Sequence, residues 1–144
     1  MKITPYGRHY IDNSDVKSVI NIYKNEIITG GNKIKEFEKK INKYLKCKYS
    51  IGCSSGTSAL FLALQSIDLK KNDIVIMPAI NFIASYNISK LFNAKVFLAD
   101  VNEKTGQMTP ETVDQCCKKF NLKKVKVIIP MYNGGYPENA TNFK

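Results

Sequence analysis

The chain has 144 residues and a mass of 16.3 kDa, enough for one domain of ordinary size and not for two. With 44% hydrophobic and 24% charged residues it is not disordered by composition, and no apolar run approaches the ~18 residues of a membrane-spanning helix. The net charge is +10, but 21 of the 22 basic residues are lysines and only Arg8 can make the bidentate contacts that nucleic-acid readers rely on. The lysines are scattered in pairs such as Lys39-Lys40 and Lys123-Lys124, which reads as solvated helix faces; a polyanion-binding surface is the competing reading.

The opening Met1-Lys2-Ile3-Thr4-Pro5-Tyr6 lacks the apolar core of a signal peptide, so a cytoplasmic location is expected, with neither membrane nor nucleic acid as partner. The cysteines, Cys47, Cys53, Cys116 and Cys117, contain no C-x-x-C pair and His9 is the one histidine. No metal site is expected, and buried thiols in a reducing compartment are.

Residues 14–25 carry Val16, Val19, Ile20 and Tyr23 at helical spacing, with Asn13 or Ser14 as N-cap. Thr29-Gly30-Gly31 is a loop. Residues 33–46 form a second amphipathic helix through Ile34, Phe37, Ile41 and Leu45, with Glu36 and Lys40 as an i, i+4 pair. From residue 47 the texture changes to alternating strands and helices. Strands are expected at 49–53, 73–77, 95–99 and 125–129, and helices at 57–67, 83–92 and from Pro110 to about Phe120, with another starting near Glu138. Thr109-Pro110-Glu111 combines an N-cap, a proline at the first helical position and an early acid. The expected organisation is therefore a helical segment over 1–46 and a partial α/β domain over 47–144. Continuous apolar strands alternating with helices imply a mostly parallel sheet with helices on both faces.

The feature richest in chemistry is the strand–turn–helix Cys53-Ser54-Ser55-Gly56-Thr57-Ser58-Ala59-Leu60. The first amides of a helix lack intrahelical acceptors and the macrodipole is positive there, so this is either an anion site or a simple hydroxyl cap. It is neither a Walker loop nor G-x-G-x-x-G. The next is Met77-Pro78-Ala79-Ile80-Asn81-Phe82, at the carboxyl edge of a parallel sheet, where ligands bind. Phe82 there either packs into the core or stacks on a planar cofactor. Tyr132 and the 134–136 loop follow the last strand at that edge. Asp100 ends a strand and is expected to cap the loop containing Thr105-Gly106.

These segments together resemble the DegT/DnrJ/EryC1/StrS family of sugar aminotransferases. The likeness is carried, in order, by Thr29-Gly30-Gly31, Ser54 to Leu60, Pro78 to Ser85, Phe97-Leu98-Ala99-Asp100-Val101 and Thr105 to Pro110. The opening Pro5-Tyr6-Gly7-Arg8 resembles members that aminate UDP-linked 4-keto-6-deoxy-N-acetylhexosamines. The resemblance implies the N-terminal part of the large domain of a fold-type-I enzyme that uses pyridoxal 5′-phosphate (PLP). It implies transfer of an amino group from an amino acid, usually glutamate, to a nucleotide-linked keto sugar for surface glycans, and a homodimer. By position, Ser55, Gly56 and Thr57 would bind the cofactor phosphate and Phe82 would stack on its ring. Tyr6 and the loop Glu26, Ile27, Ile28 and Thr29 would face the sugar nucleotide, or the site of the partner subunit. No catalytic residue is carried over: the family's Schiff-base lysine and ring aspartate match no segment here. The 144 residues alone are therefore expected not to transaminate. The alternatives are a PLP-dependent sugar dehydratase of the same family, an inactive truncated product, and a small polyanion-binding protein.

Overall fold

The computed structural model describes residues 7–135 and 140–143. The chain forms two compact units, Met1–Gly52 and Cys53–Lys144.

The first unit holds helices α1 (Asn13–Asn25) and α2 (Asn32–Leu45). The N-cap of α1 is Asp12, not Asn13 or Ser14. Three successive residues here can cap, and the earliest does so because Asp15 answers it. Asp12 Oδ1 accepts the amides of Ser14 (2.7 Å) and Asp15 (3.3 Å), and Asp15 Oδ2 accepts the Asp12 amide (3.0 Å). Glu36 pairs with Lys33, at 2.9 Å, rather than with Lys40. Gly31 precedes α2 at a place where a side chain does not fit: an added Cβ would lie 2.5 Å from the Ile27 carbonyl oxygen.

The expected strand at 49–53 is not a strand. Its hydrogen bonds go instead to Glu38 of α2: Gly52 N–H donates to Glu38 Oε1 (2.8 Å) and Ser50 Oγ donates to the Glu38 carbonyl (2.9 Å). A side chain thus does locally what a neighbouring strand would have to do.

In the second unit, α3 (Gly56–Ser66) precedes β1 (Ile74–Pro78), α4 (Ala84–Leu91), β2 (Lys95–Ala99), α5 (Pro110–Phe120) and β3 (Val125–Ile128). All strands are parallel, in the order β2-β1-β3. The chain steps from β1 to one side and then back across it, so right-handed crossovers place α4 and α5 on opposite faces. Leu64 and Ile88 cover one face with Val75 and Met77; Val113 and Cys116 cover the other with Ile76 and Ala99. Val75, Ile76 and Met77 are at most 1% exposed, so β1 is apolar on both faces, and each such side chain contributes about 1.5–3 kcal/mol. A bulge skips Lys126, which is why Val125 and Ile128 reach the same face despite their odd spacing.

The loop cap is Asn102 rather than Asp100: Asn102 Oδ1 accepts the amides of Lys104 (2.9 Å) and Thr105 (3.2 Å), while Asp100 reaches only its neighbour Val101. Of the cysteines, Cys116 is buried and Cys117 half-buried; Cys47 and Cys53 are exposed, contrary to the buried thiols expected. Glu138 lies outside the described residues, and Ala140–Phe143 is a 3-10 turn. No helix among the described residues is long and apolar enough to cross a membrane.

Candidate functional site

Ser55 is extended (φ −163°, ψ 163°) and caps α3, its Oγ accepting the Ser58 amide at 3.1 Å. The Ala59 amide bonds the Ser55 carbonyl at 3.0 Å. The amides of Gly56 and Thr57, the first two of the helix, have no acceptor among the described residues, and both residues are exposed. The Ser58 hydroxyl lies 3.1 Å from that of Ser54 and 3.0 Å from that of Ser55. A Cβ added at Gly56 meets no atom within 4 Å. Ser54, Thr57 and Ser58 line a cavity of about 440 Å³ together with Cys53, Phe61, Leu62 and Ile88. Open amides, hydroxyl donors and a positive helix end, with no carboxylate among the lining residues, suit a phosphate ester.

At the carboxyl end of β1, the Asn81 side-chain amide donates to Ser85 Oγ (2.7 Å), which donates to the Phe82 carbonyl (3.2 Å). Phe82 itself is 68% exposed, so it does not pack into the core. Sequence reasoning passed over Asn81 and Ser85. The signal was there, since a polar residue four positions before a small hydroxyl at a helix start is a local bonding pair.

In the first unit, Glu26 ends α1, its amide bonding the Ile22 carbonyl, and its carboxylate lies 3.7 Å from the Lys33 ammonium. The hydrogen bond from Lys33 to Glu36, with the charges of Glu36 and Glu26, raises the Lys33 pKa. Glu26 and Ile27 line a cavity of about 370 Å³ with Gly30, Gly31 and Glu36; Ile28 and Thr29 are exposed beside it. Tyr6 lies outside the described residues. The predicted phosphate residues Ser55, Gly56 and Thr57 are thus brought together on one helix end, with Phe82 in the same unit.

The family model of the DegT/DnrJ/EryC1/StrS aminotransferases matches residues 9–142. The chain belongs to this family. It is 35% identical over 96 residues to the UDP-4-amino-4,6-dideoxy-N-acetyl-beta-L-altrosamine transaminase of Campylobacter jejuni serotype O:23/36, covering 67% of this chain and 25% of that protein. Among solved structures, an aminotransferase from Psychrobacter cryohalolentis superimposes with a TM-score of 0.76 at 29% identity, covering 94% of this chain and 33% of that one. A candidate sugar aminotransferase from Streptococcus pneumoniae in its PMP form gives 0.87 at 26%, covering 96% and 34%. The DegT-family chain described here therefore spans between a quarter and about a third of the length of these relatives. Its fold is that of the N-terminal part of the fold-type-I PLP-dependent transferases.

Proposed function

We propose that this chain is the part of a sugar aminotransferase that grips the cofactor phosphate. The observation that carries the reading is the pair of open amides at Gly56 and Thr57 on a hydroxyl-lined helix end, in a member of this family. The cofactor, pyridoxal 5′-phosphate, supplies an electron sink for moving an amine from an amino acid, glutamate by expectation, to the keto carbon of a nucleotide-linked 4-keto-6-deoxy sugar. Gly56 and Thr57 donate backbone N–H bonds to the phosphate, and the Thr57 hydroxyl adds a donor beside them. Ser55 fixes the helix end in place. Phe82 offers a ring face for the pyridine. The first-unit loop Glu26–Thr29 and Tyr6 serve the sugar nucleotide. The whole protein works as a homodimer in the cytoplasm, a compartment that suits cysteines without disulfides.

Calorimetric titration with pyridoxamine phosphate tests this, because that form has no aldehyde to react with the 21 lysines. Saturable one-site binding, displaced by inorganic phosphate, is expected. Heat that does not saturate, or that vanishes with modest salt, would assign the interaction to the +10 charge instead.

A further inference from the structure

Gln107 is 1% exposed, one of three buried polar side chains among the described residues. Its carboxamide reaches 26 residues along the chain and pairs with both backbone groups of one residue. Gln107 Nε2 donates to the Asn133 carbonyl (3.0 Å), and the Asn133 amide donates to Gln107 Oε1 (3.2 Å). The carboxamide thus supplies the donor and acceptor that a neighbouring strand would.

Its base is rigid. Asn102 N–H donates to the Gln107 carbonyl (2.8 Å), Gly106 N–H donates to the Asn102 carbonyl (2.8 Å), and Gln107 N–H donates to Thr105 Oγ1 (3.2 Å). What it holds is pliable. The turn after β3 runs through Gly134 and Gly135, both at positive φ, and is closed by one bond from the Gly135 amide to the Tyr132 carbonyl (3.1 Å). The same turn carries the Tyr132 hydroxyl, whose oxygen is buried without a hydrogen-bond partner among the described residues. Holding an unsatisfied buried hydroxyl costs about 1–3 kcal/mol. The turn leaves the same carboxyl edge as the Phe82 loop, from the strand next to β1.

We propose that Gln107 is a positioning residue of the cofactor site, clamping the Tyr132–Gly135 turn so that it is presented to the ring end of the bound cofactor. This rests on the cofactor reading above. The phosphate end is gripped by α3, which Gln107 does not touch, so its loss separates the two ends of the ligand. In the 144-residue chain, Gln107→Ala should weaken pyridoxamine phosphate binding roughly five- to tenfold, two hydrogen bonds being lost. Inorganic phosphate affinity should stay within twofold, the Asn133 amide should exchange faster with deuterium, and the β1 amides should stay protected. Gln107→Glu keeps the shape and the acceptor but turns an oxygen on the Asn133 carbonyl; it should show the same split if the alanine variant fails to fold. Equal loss of both ligands with faster exchange across β1, or no change in either ligand, overturns the proposal. If the unaltered chain binds inorganic phosphate but not pyridoxamine phosphate, or binds neither, the cofactor reading falls and the proposal with it. If it binds both and the variants bind them unchanged, the proposal alone falls.

Discussion

Ser55 accepts the amide of Ser58 at 3.1 Å and so satisfies the third N–H of α3 while leaving those of Gly56 and Thr57 without an acceptor among the described residues. A cap that consumed the first amides would leave nothing for a ligand. Gly56 is helical and its Cβ would meet open space, so alanine there fits the fold. Gly56→Ala should raise stability by a few tenths to about 1 kcal/mol in thermal melts. The same methyl would stand where a phosphate must approach, and phosphate binding should fall by about tenfold or more. A variant both more stable and unimpaired in binding would remove the helix end from the account.

Phe82 is exposed, and the Ser85 hydroxyl, itself bonded by Asn81, donates to its carbonyl. Phe82→Ala should leave the melting curve within about 0.5 kcal/mol of the parent, as exposed positions do. Pyridoxamine phosphate affinity should fall by about 1 kcal/mol, the worth of an aromatic contact, with inorganic phosphate unaffected. Calorimetry with both ligands reads the difference.

The Asp12 carboxyl is held below its ordinary range, chiefly by the Ser14 hydroxyl and then by the amides of Ser14 and Asp15. A lowered folded-state pKa means stability present above the ordinary carboxylate value and lost as pH falls through the lowered one. Circular dichroism should therefore show α1 fraying only on acidification through that range. Asp12→Asn keeps the cap without the charge and should flatten the pH response; Asp12→Ala should fray the helix at every pH.

Lys46 ends α2 in the left-handed region, φ 53°, where a side chain is strained. Lys46→Gly should stabilise the first unit by about 1 kcal/mol, seen as a higher melting temperature for its helices. In the same unit, Glu38→Ala removes the acceptor of the Gly52 amide and should cost about 1 kcal/mol.

Period and punctuation made most elements legible: Val16, Val19, Ile20 and Tyr23 mark α1, Thr109-Pro110 opens α5, and the unbroken run Ile74 to Met77 marks a strand covered on both faces. The misreadings have one physical origin, which is that partners are chosen non-locally. Tyr49 to Cys53 alternates like a strand, but a strand exists only with a neighbour, and Glu38 took the bonds. For Phe82 the sequence left core packing and an exposed ring both open, and the side chain is 68% exposed. Gln107 was invisible because its partner lies 26 residues on. The start of α3, with Ser55 as its cap and Gly56 and Thr57 in its first turn, was readable because a helix start is a local structure.

Amide-resolved NMR of the 144-residue chain, with inorganic phosphate and then pyridoxamine phosphate added, bears most directly on the phosphate socket. The Gly56 and Thr57 N–H resonances should move furthest and saturate together with either ligand, and Phe82 should respond only to the second. Shifts spread over the lysine-bearing faces of α2 and α5, with Gly56 and Thr57 unmoved, would contradict the account.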